Sequence, residues 1–167
     1  MGVEIERKFT VLADFCPQGV GTEMAQGYLS RDPQRTVRVR LAGGRGYLTV
    51  KGETRGMVRA EYEYEIPPTD ARAMLALCDP PLVEKTRYVV DAAGRRWEVD
   101  VFHGANDGLV VAEVELPSET AEVTLPAWVD REVTGEKRYY NSSLIVHPYH
   151  SWTAEEKSGY PRVPVEK

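Results

Sequence analysis

The chain has 167 residues, 28 % of them charged, with a net charge of −5. That length suits one domain with a sizeable core, and the acidic balance argues against a nucleic-acid-binding surface. No apolar run approaches the roughly 20 residues of a membrane span, the N-terminus lacks the apolar stretch of a secretory signal, and Cys16 and Cys78 have no motif spacing. A soluble protein with reduced thiols in a cytoplasm is expected, with no nucleic-acid or membrane partner.

Residues 3–11 alternate Glu4, Glu6 and Lys8 with Val3, Ile5 and Phe9. Successive side chains of a strand point to opposite faces, so the charges share one side and the apolar groups the other. The arrangement recurs along the chain with the charges changed. TVRVRL sets Arg38 and Arg40 against Val37, Val39 and Leu41, and after the turn signal Gly43-Gly44, YLTVKG sets Thr49 and Lys51 against Leu48 and Val50. RAEYEYEI puts Arg59, Glu61, Glu63 and Glu65 opposite Tyr62, Tyr64 and Ile66. Next comes PPTDARAMLALCDPP, read as a helix capped by Thr69, stopped by Pro80 and Pro81, with Met74, Leu75 and Cys78 on one face. VEKTRYVV then carries Lys85 and Arg87, and beyond a second turn at Ala93-Gly94, RRWEVDVF carries Glu98 and Asp100. VVAEVEL ends the series with Glu113 and Glu115. After Pro117 the pattern turns helical in PAWVDREV and EKRYYNSSLIV, about residues 125–150, and the tail from His147 reads as loop. The whole chain, 1–167, is taken as one domain.

An antiparallel sheet with one wet face also alternates, but its polar side is normally mixed. Here like charges sit at i and i+2, and neighbouring like charges destabilise a sheet unless something lies between them. Strands closed around a charged interior meet that need. Carboxylate pairs would bind a divalent cation, and the Arg and Lys set a polyanion. Hard cations such as Mg²⁺ take carboxylate, phosphate and water oxygens. No histidine pair has ligand spacing and the cysteines are far apart, which disfavours zinc. A dense anion facing Lys8, Arg38, Arg40, Lys51, Arg59, Lys85 and Arg87 is best matched by a phosphate chain. The residues therefore point to a metal-dependent site for a polyphosphate or triphosphate.

The N-terminal EIERK resembles the E-x-E-x-K signature of the CYTH superfamily, the triphosphate tunnel metalloenzymes. The resemblance runs from Glu4 to about Leu144 through QGYL, VRVR, LTVKG, the E-Y-E pair, EKTRY, WEVDVF, AEVEL and EVTGEKRYYNSSL. It implies an α+β fold: an eight-stranded antiparallel β-barrel, or tunnel, with a charged interior and helices packed outside. It further implies hydrolysis of a triphosphate with Mg²⁺ or Mn²⁺, the small bacterial members acting on inorganic tripolyphosphate. On this reading Glu4, Glu6, Glu61, Glu63, Asp100, Glu113 and Glu115 are the metal candidates. Lys8, Arg38, Arg40, Lys51, Arg59, Lys85 and Arg87 would bind phosphate, and Lys8, Tyr28, Lys85, Glu98 and Asp100 would serve catalysis. The partner is a small polyanion, tripolyphosphate or a nucleoside triphosphate; the oligomeric state is open, a homodimer included.

Other readings use the same stripes: an adenylyl cyclase, a thiamine-triphosphatase, for which Trp152 is the one loose stacking candidate, and a non-catalytic polyphosphate-binding module. His103, His147 and His150 lack partner spacing. Trp97, Trp128, Tyr139 and Tyr140 are assigned to packing, Glu65 to a solvent-facing strand end, and NSSLIV is a segment that could plug one tunnel mouth.

Overall fold

A computed structural model describes residues 2–158; the last part of the tail read as loop lies outside the described residues. Each charge stripe is a strand. The first nine elements are β1 (Val3–Val11), β2 (Thr22–Ser30), β3 (Thr36–Ala42), β4 (Arg45–Lys51), β5 (Val58–Ile66), α1 (Pro68–Leu75), β6 (Val83–Ala92), β7 (Arg95–Phe102) and β8 (Val110–Glu115). They are followed by β9 (Val129–Glu132), α2 (Asn141–Val146) and α3 (Ala154–Ser158). The antiparallel order β5-β4-β3-β2-β6-β7-β8-β1 closes through pairing of β1 with β5, giving an eight-stranded barrel, and β9 adds to β1 outside the closure.

The apolar halves of the alternation face outward and are covered on β1, β3, β7 and β8, while Tyr62 and Tyr64 of β5 stay exposed. Phe9, Trp97, Val99, Ala112 and Val114 form one exterior cluster with Phe15 and Trp128 packed on it. Trp97 and Trp128 meet edge to face at 5.5 Å, a packing role as expected. Helix α1 lays Ala71 and Leu75 on Val39. Its N-cap is Pro67 rather than Thr69, because the proline's fixed φ already suits a helix start and Pro68 needs no amide partner.

Two expectations for the C-terminal third need correction. PAWVDREV is not helical: Val129–Glu132 is strand β9, which pairs Glu132 with Phe9 and Val129 with Val11. Beyond Ile5 the edge of β1 has no β5 residue opposite it, and β9 satisfies the backbone groups left there. EKRYYNSSLIV is helical as expected, in two pieces: a 3₁₀ turn at Lys137–Tyr139 ends at extended Tyr140, with ψ of 137°, and α2 follows. The described part of the tail is not all loop: Tyr149–Ser151 is a 3₁₀ turn, α3 follows, and Trp152 is buried.

Inside the barrel the stripes run into apolar residues at one end. Val83, Phe102 and Val111 share strand faces with Lys85, Asp100 and Glu113, and pack with Leu144, Ile145, Tyr139 and Trp152. The chain following β9 thus fills that end of the barrel with side chains, while the rest of the lumen stays polar.

Both predicted hairpin turns have two residues at positive φ: Gly43 and Gly44 at 54° and 85°, Ala93 and Gly94 at 51° and 75°. Alanine tolerates this region poorly, at a cost of about 1–2 kcal/mol, whereas Asn-Gly is the preferred pair for such a turn. Ala93→Asn is therefore expected to raise the melting temperature by about 2–4 °C, the shift that roughly 1 kcal/mol gives a chain of this size. Unchanged or lower thermal stability in a calorimetric scan would count against that account of the turn.

Candidate functional site

A cavity of about 790 Å³ occupies the lumen. Its wall includes Glu4, Glu6, Lys8, Tyr28, Arg38, Arg40, Lys51, Arg59, Glu61, Glu63, Arg87, Glu98, Glu113 and Glu115. Strand register decides which charges meet. Glu6 stands opposite Glu115, Lys8 opposite Glu113, Glu98 opposite Glu113, Lys51 opposite Glu61, and Glu4 opposite Arg59. Opposed signs pair directly: Lys51 Nζ lies 2.9 Å from Glu4, Lys8 Nζ 3.3 Å from Glu113, and Arg87 2.6 Å from Glu98. Arg38 donates to Thr49 at 3.1 Å and to Glu63 at 3.3 Å. Arg59 donates to the Gly52 carbonyl and to Thr36. Glu65 sits outside this set, exposed beside Arg45.

Lys85 and Asp100, expected in the cavity wall, are not there. Both are only 1 % exposed. Asp100 accepts from Lys85 at 2.7 Å and from Arg87 at 2.7 and 2.9 Å, so both its oxygens are engaged. Glu113, two residues from the apolar-end residue Val111, stays on the wall. Lys85 instead packs under the Phe102 ring of the apolar end, and Asp100, with both oxygens engaged by Lys85 and Arg87, is buried with it. Arg87 carries their influence to the cavity.

The electrostatics are strained in two opposite directions. Burial, then Glu113 and Glu4, push the Glu6 carboxyl well above its ordinary value of 4.5. Burial also works against the Lys8 ammonium, but Glu113 and Glu6 outweigh it and hold the group protonated above its usual range. On the other wall, burial with the neighbouring Arg38 and Arg87 pushes Arg40 down to about 9. Arg38 Nε and Asn141 Oδ1 are buried with no hydrogen-bond partner. Among the described residues no three acidic side chains already form a ready-made metal-ligand group. The wall thus holds Glu6 and Glu61, which resist ionisation, and Arg40, whose proton is loosened, among Glu4, Glu113 and Arg87, which opposite charges keep ionised. A cation beside Glu6 and an anion beside Arg40 would relieve each.

Several lining residues were not assigned from sequence. Thr36, Thr54, Gly56 and Met57 come from the β3 start and the β4–β5 loop; Thr134, Gly135, Asn141 and Ser142 come from the C-terminal segments. Tyr140 was assigned to the core, but it lines the cavity, its ring 5.7 Å from Lys8 Nζ. Its extended backbone turns it away from buried Tyr139. Trp152 packs against Tyr139 and Tyr149 in the apolar end, so it offers no stacking surface at a mouth. Nothing in the spacing of the C-terminal third marked Thr134, Gly135, Tyr140, Asn141 or Ser142, because they reach the lumen from a turn and the start of α2, without strand periodicity. Gln26 was visible only as part of QGYL; it shares the inner face of β2 with Tyr28, two residues on, and that parity was the available signal.

A closed antiparallel barrel whose lumen is lined with interleaved acidic and basic side chains around a cavity, filled at one end, is a charged-lumen barrel protein. The chain belongs to the CYTH domain family, whose profile matches residues 2–149. It is 50 % identical over 151 residues to the inorganic triphosphatase of Acetivibrio thermocellus, covering 89 % of this chain and 97 % of that one. It is 39 % identical over 149 residues to the inorganic triphosphatase of Nitrosomonas europaea, covering 86 % and 97 %. The crystal structure of the inorganic triphosphatase NE1496 superposes with a TM-score of 0.64 at 36 % identity, over 87 % of this chain and 96 % of that one. No helix among the described residues is long and apolar enough to cross a membrane.

The buried pairs set an acid limit. Burial alone would raise the Asp100 carboxyl, but Lys85 and Arg87 hold it far below its usual range; Lys8 and Arg87 likewise bring Glu113 to about 2 against burial. The unfolded chain takes up these protons near 3.8 and 4.5, the folded chain only at lower pH. Their contribution is complete above about pH 4.5 and is lost as pH falls below it. Glu6 acts in the opposite sense, but its proton is already bound by then. In EDTA, the melting temperature is expected to fall steeply from pH 4.5 to 3, and to fall less steeply in Asp100→Asn. Parallel profiles for the two proteins would contradict the assignment.

Proposed function

We propose that this chain is a metal-dependent inorganic triphosphatase that hydrolyses tripolyphosphate to pyrophosphate and orthophosphate. The observation that carries the reading is one cavity whose wall holds both the crowded Glu6 carboxyl and the Arg40 guanidinium, which has like-charged neighbours and no ion-pair partner among the described residues. A ligand that brings cations and a dense anion together relieves both. The relatives named as inorganic triphosphatases at 50 % and 39 % identity support the same substrate.

Glu4, Glu6, Glu113 and Glu115, from the adjacent strands β1 and β8, with Glu61 across the β1–β5 seam, fit a hard divalent cation by donor type and by the elevated Glu6 carboxyl. Bound Mg²⁺ or Mn²⁺ would neutralise phosphate oxygens and supply an activated water. The protein's own groups do the rest. Arg38, Arg40, Lys51, Arg59 and Arg87 line the wall where phosphate oxygens would lie, and Arg38 Nε has a donor left over for one of them. Lys8, kept protonated by Glu113, and the Tyr28 hydroxyl donate to the phosphate that departs. Glu98 orients the attacking water from the β7 wall, while Lys85 and Asp100 hold Arg87 in place. Glu63 keeps Arg38 and Thr49 aligned. Fixed donors aimed at a developing charge, with the reacting groups held in line, are what phosphoryl transfer requires.

Phosphate release from tripolyphosphate and from ATP, with Mg²⁺, Mn²⁺ or EDTA, tests the reading, with cyclic AMP assayed alongside. Metal-dependent release favouring tripolyphosphate is expected; cyclic AMP without orthophosphate would overturn it. Glu6→Gln gives a sharper contrast. Removing a charge whose ionisation burial and Glu113 oppose should raise the melting temperature in EDTA, yet lower turnover by about a hundredfold or more and shrink the stabilisation that added Mg²⁺ or Mn²⁺ gives. A Glu6→Gln protein that keeps its activity would remove that carboxylate from the metal set.

A further inference from the structure

The inner face of β2 carries Thr22, Met24, Gln26 and Tyr28, and no charged residue. Of these four, Tyr28 reaches the cavity. At the centre of that face Gln26 is completely buried, 0 % exposed, between β3 and β6. Its amide makes two contacts. Arg40 Nε donates to Gln26 Oε1 at 2.9 Å, and Gln26 Nε2 donates to the Tyr28 hydroxyl oxygen at 3.4 Å.

The chemistry of these partners leaves one orientation. A guanidinium has donors and no acceptor, so the amide atom facing Arg40 must be the carbonyl oxygen, and the amino group must face Tyr28. The Tyr28 oxygen therefore accepts from Gln26. Its own proton is not spent on Gln26 and is available to the cavity that Tyr28 lines. At the other end of the amide, Arg40 has no ion-pair partner among the described residues, unlike Lys8, Arg38, Lys51 and Arg87. The like charges of Arg38 and Arg87 weigh on it more than the attraction of Asp100, which Lys85 and Arg87 already engage. A neutral acceptor fixes its side chain without cancelling its charge, which a carboxylate at this position would do.

We propose that Gln26 is a positioning residue: through one buried amide it holds the Arg40 guanidinium in place and makes the Tyr28 hydroxyl a donor toward a phosphate chain in the cavity. This rests on the triphosphatase reading. The amide's two ends match the two demands, an acceptor for a cation that must stay charged and a donor for a hydroxyl that must keep its proton for the ligand. Leucine would fill the space and do neither. Glutamate would accept from both sides, pairing with Arg40 and drawing the tyrosine proton toward itself.

The test compares wild type, Gln26→Leu, Gln26→Glu, Tyr28→Phe and the double variant Gln26→Leu/Tyr28→Phe, each with Mg²⁺ and tripolyphosphate. Gln26→Leu is expected to lower kcat/KM at least tenfold. The double variant should be well short of the product of the two single losses, because one of Gln26's roles vanishes with the hydroxyl. Gln26→Glu should lose activity too, while keeping its melting temperature through the new pair with Arg40. Wild-type kinetics in Gln26→Leu, or losses that multiply fully in the double variant, would overturn the proposal while leaving the triphosphatase reading intact. The Arg40 Nε–H resonance, identified by its loss in Arg40→Lys, gives a readout free of activity. It should be shielded from solvent exchange in wild type and exchange faster in Gln26→Leu; equal exchange in the two would refute the held guanidinium. Absence of turnover in the wild type would instead refute the triphosphatase reading, and the exchange comparison would still decide whether Gln26 fixes Arg40.

Discussion

Everything in this structure depends on one electrostatic constraint. Like charges two residues apart on a strand repel, and moving them into a barrel interior strengthens the repulsion because less water screens them. The barrel answers by register. Placing β1 between β8 and β5 sets Lys8 against Glu113 and brings Lys51 to Glu4; placing β6 beside β7 sets Arg87 against Asp100. The cancellation is incomplete. Glu6 faces Glu115 and Glu98 faces Glu113, and Arg40 is left among other guanidiniums. Buried ion pairs of this kind contribute little net stability, since desolvation offsets most of the attraction. The residual imbalance is better understood as capacity to bind a ligand carrying both signs.

Stability has to come from elsewhere, and it comes from the outward faces and from one end of the lumen. Trp97, Phe9 and Val114 are packed under Phe15 and Trp128, and α1 covers Val39. Inside, Val83, Phe102 and Val111 meet Leu144, Ile145 and Trp152. Burying a large apolar side chain is worth about 1.5–3 kcal/mol, so these clusters can bear the cost of a polar lumen. The apolar end also sorts the charged residues by depth. Lys85 and Asp100, close to it, are sealed into a network with Arg87, whereas Glu113, Glu4, Glu6 and Arg38 remain on the open wall.

The sequence alone determined seven of the nine strands, their inward faces, both predicted hairpin turns and the acidic and basic composition of the site. It could do so because a strand's side chains alternate with a period of two, and a charged interior writes that period into the chain without ambiguity. It also exposed the resemblance from which the closed barrel was expected. Tertiary structure decided the rest, because the deciding contacts have no local period. The segment 129–132 reads as helix by composition, yet becomes a strand because part of the β1 edge needs a partner more than a hundred residues away in the chain. Trp152 looked free in a tail and is buried, since the end of the barrel supplies the apolar surface that the tail itself lacks. Whether Asp100 meets the cavity or is closed off behind Arg87 depends on how far α2 reaches into the lumen. Which end of the Gln26 amide faces Arg40 depends on two strands meeting in one register, and no reading of β2 by itself contains that information.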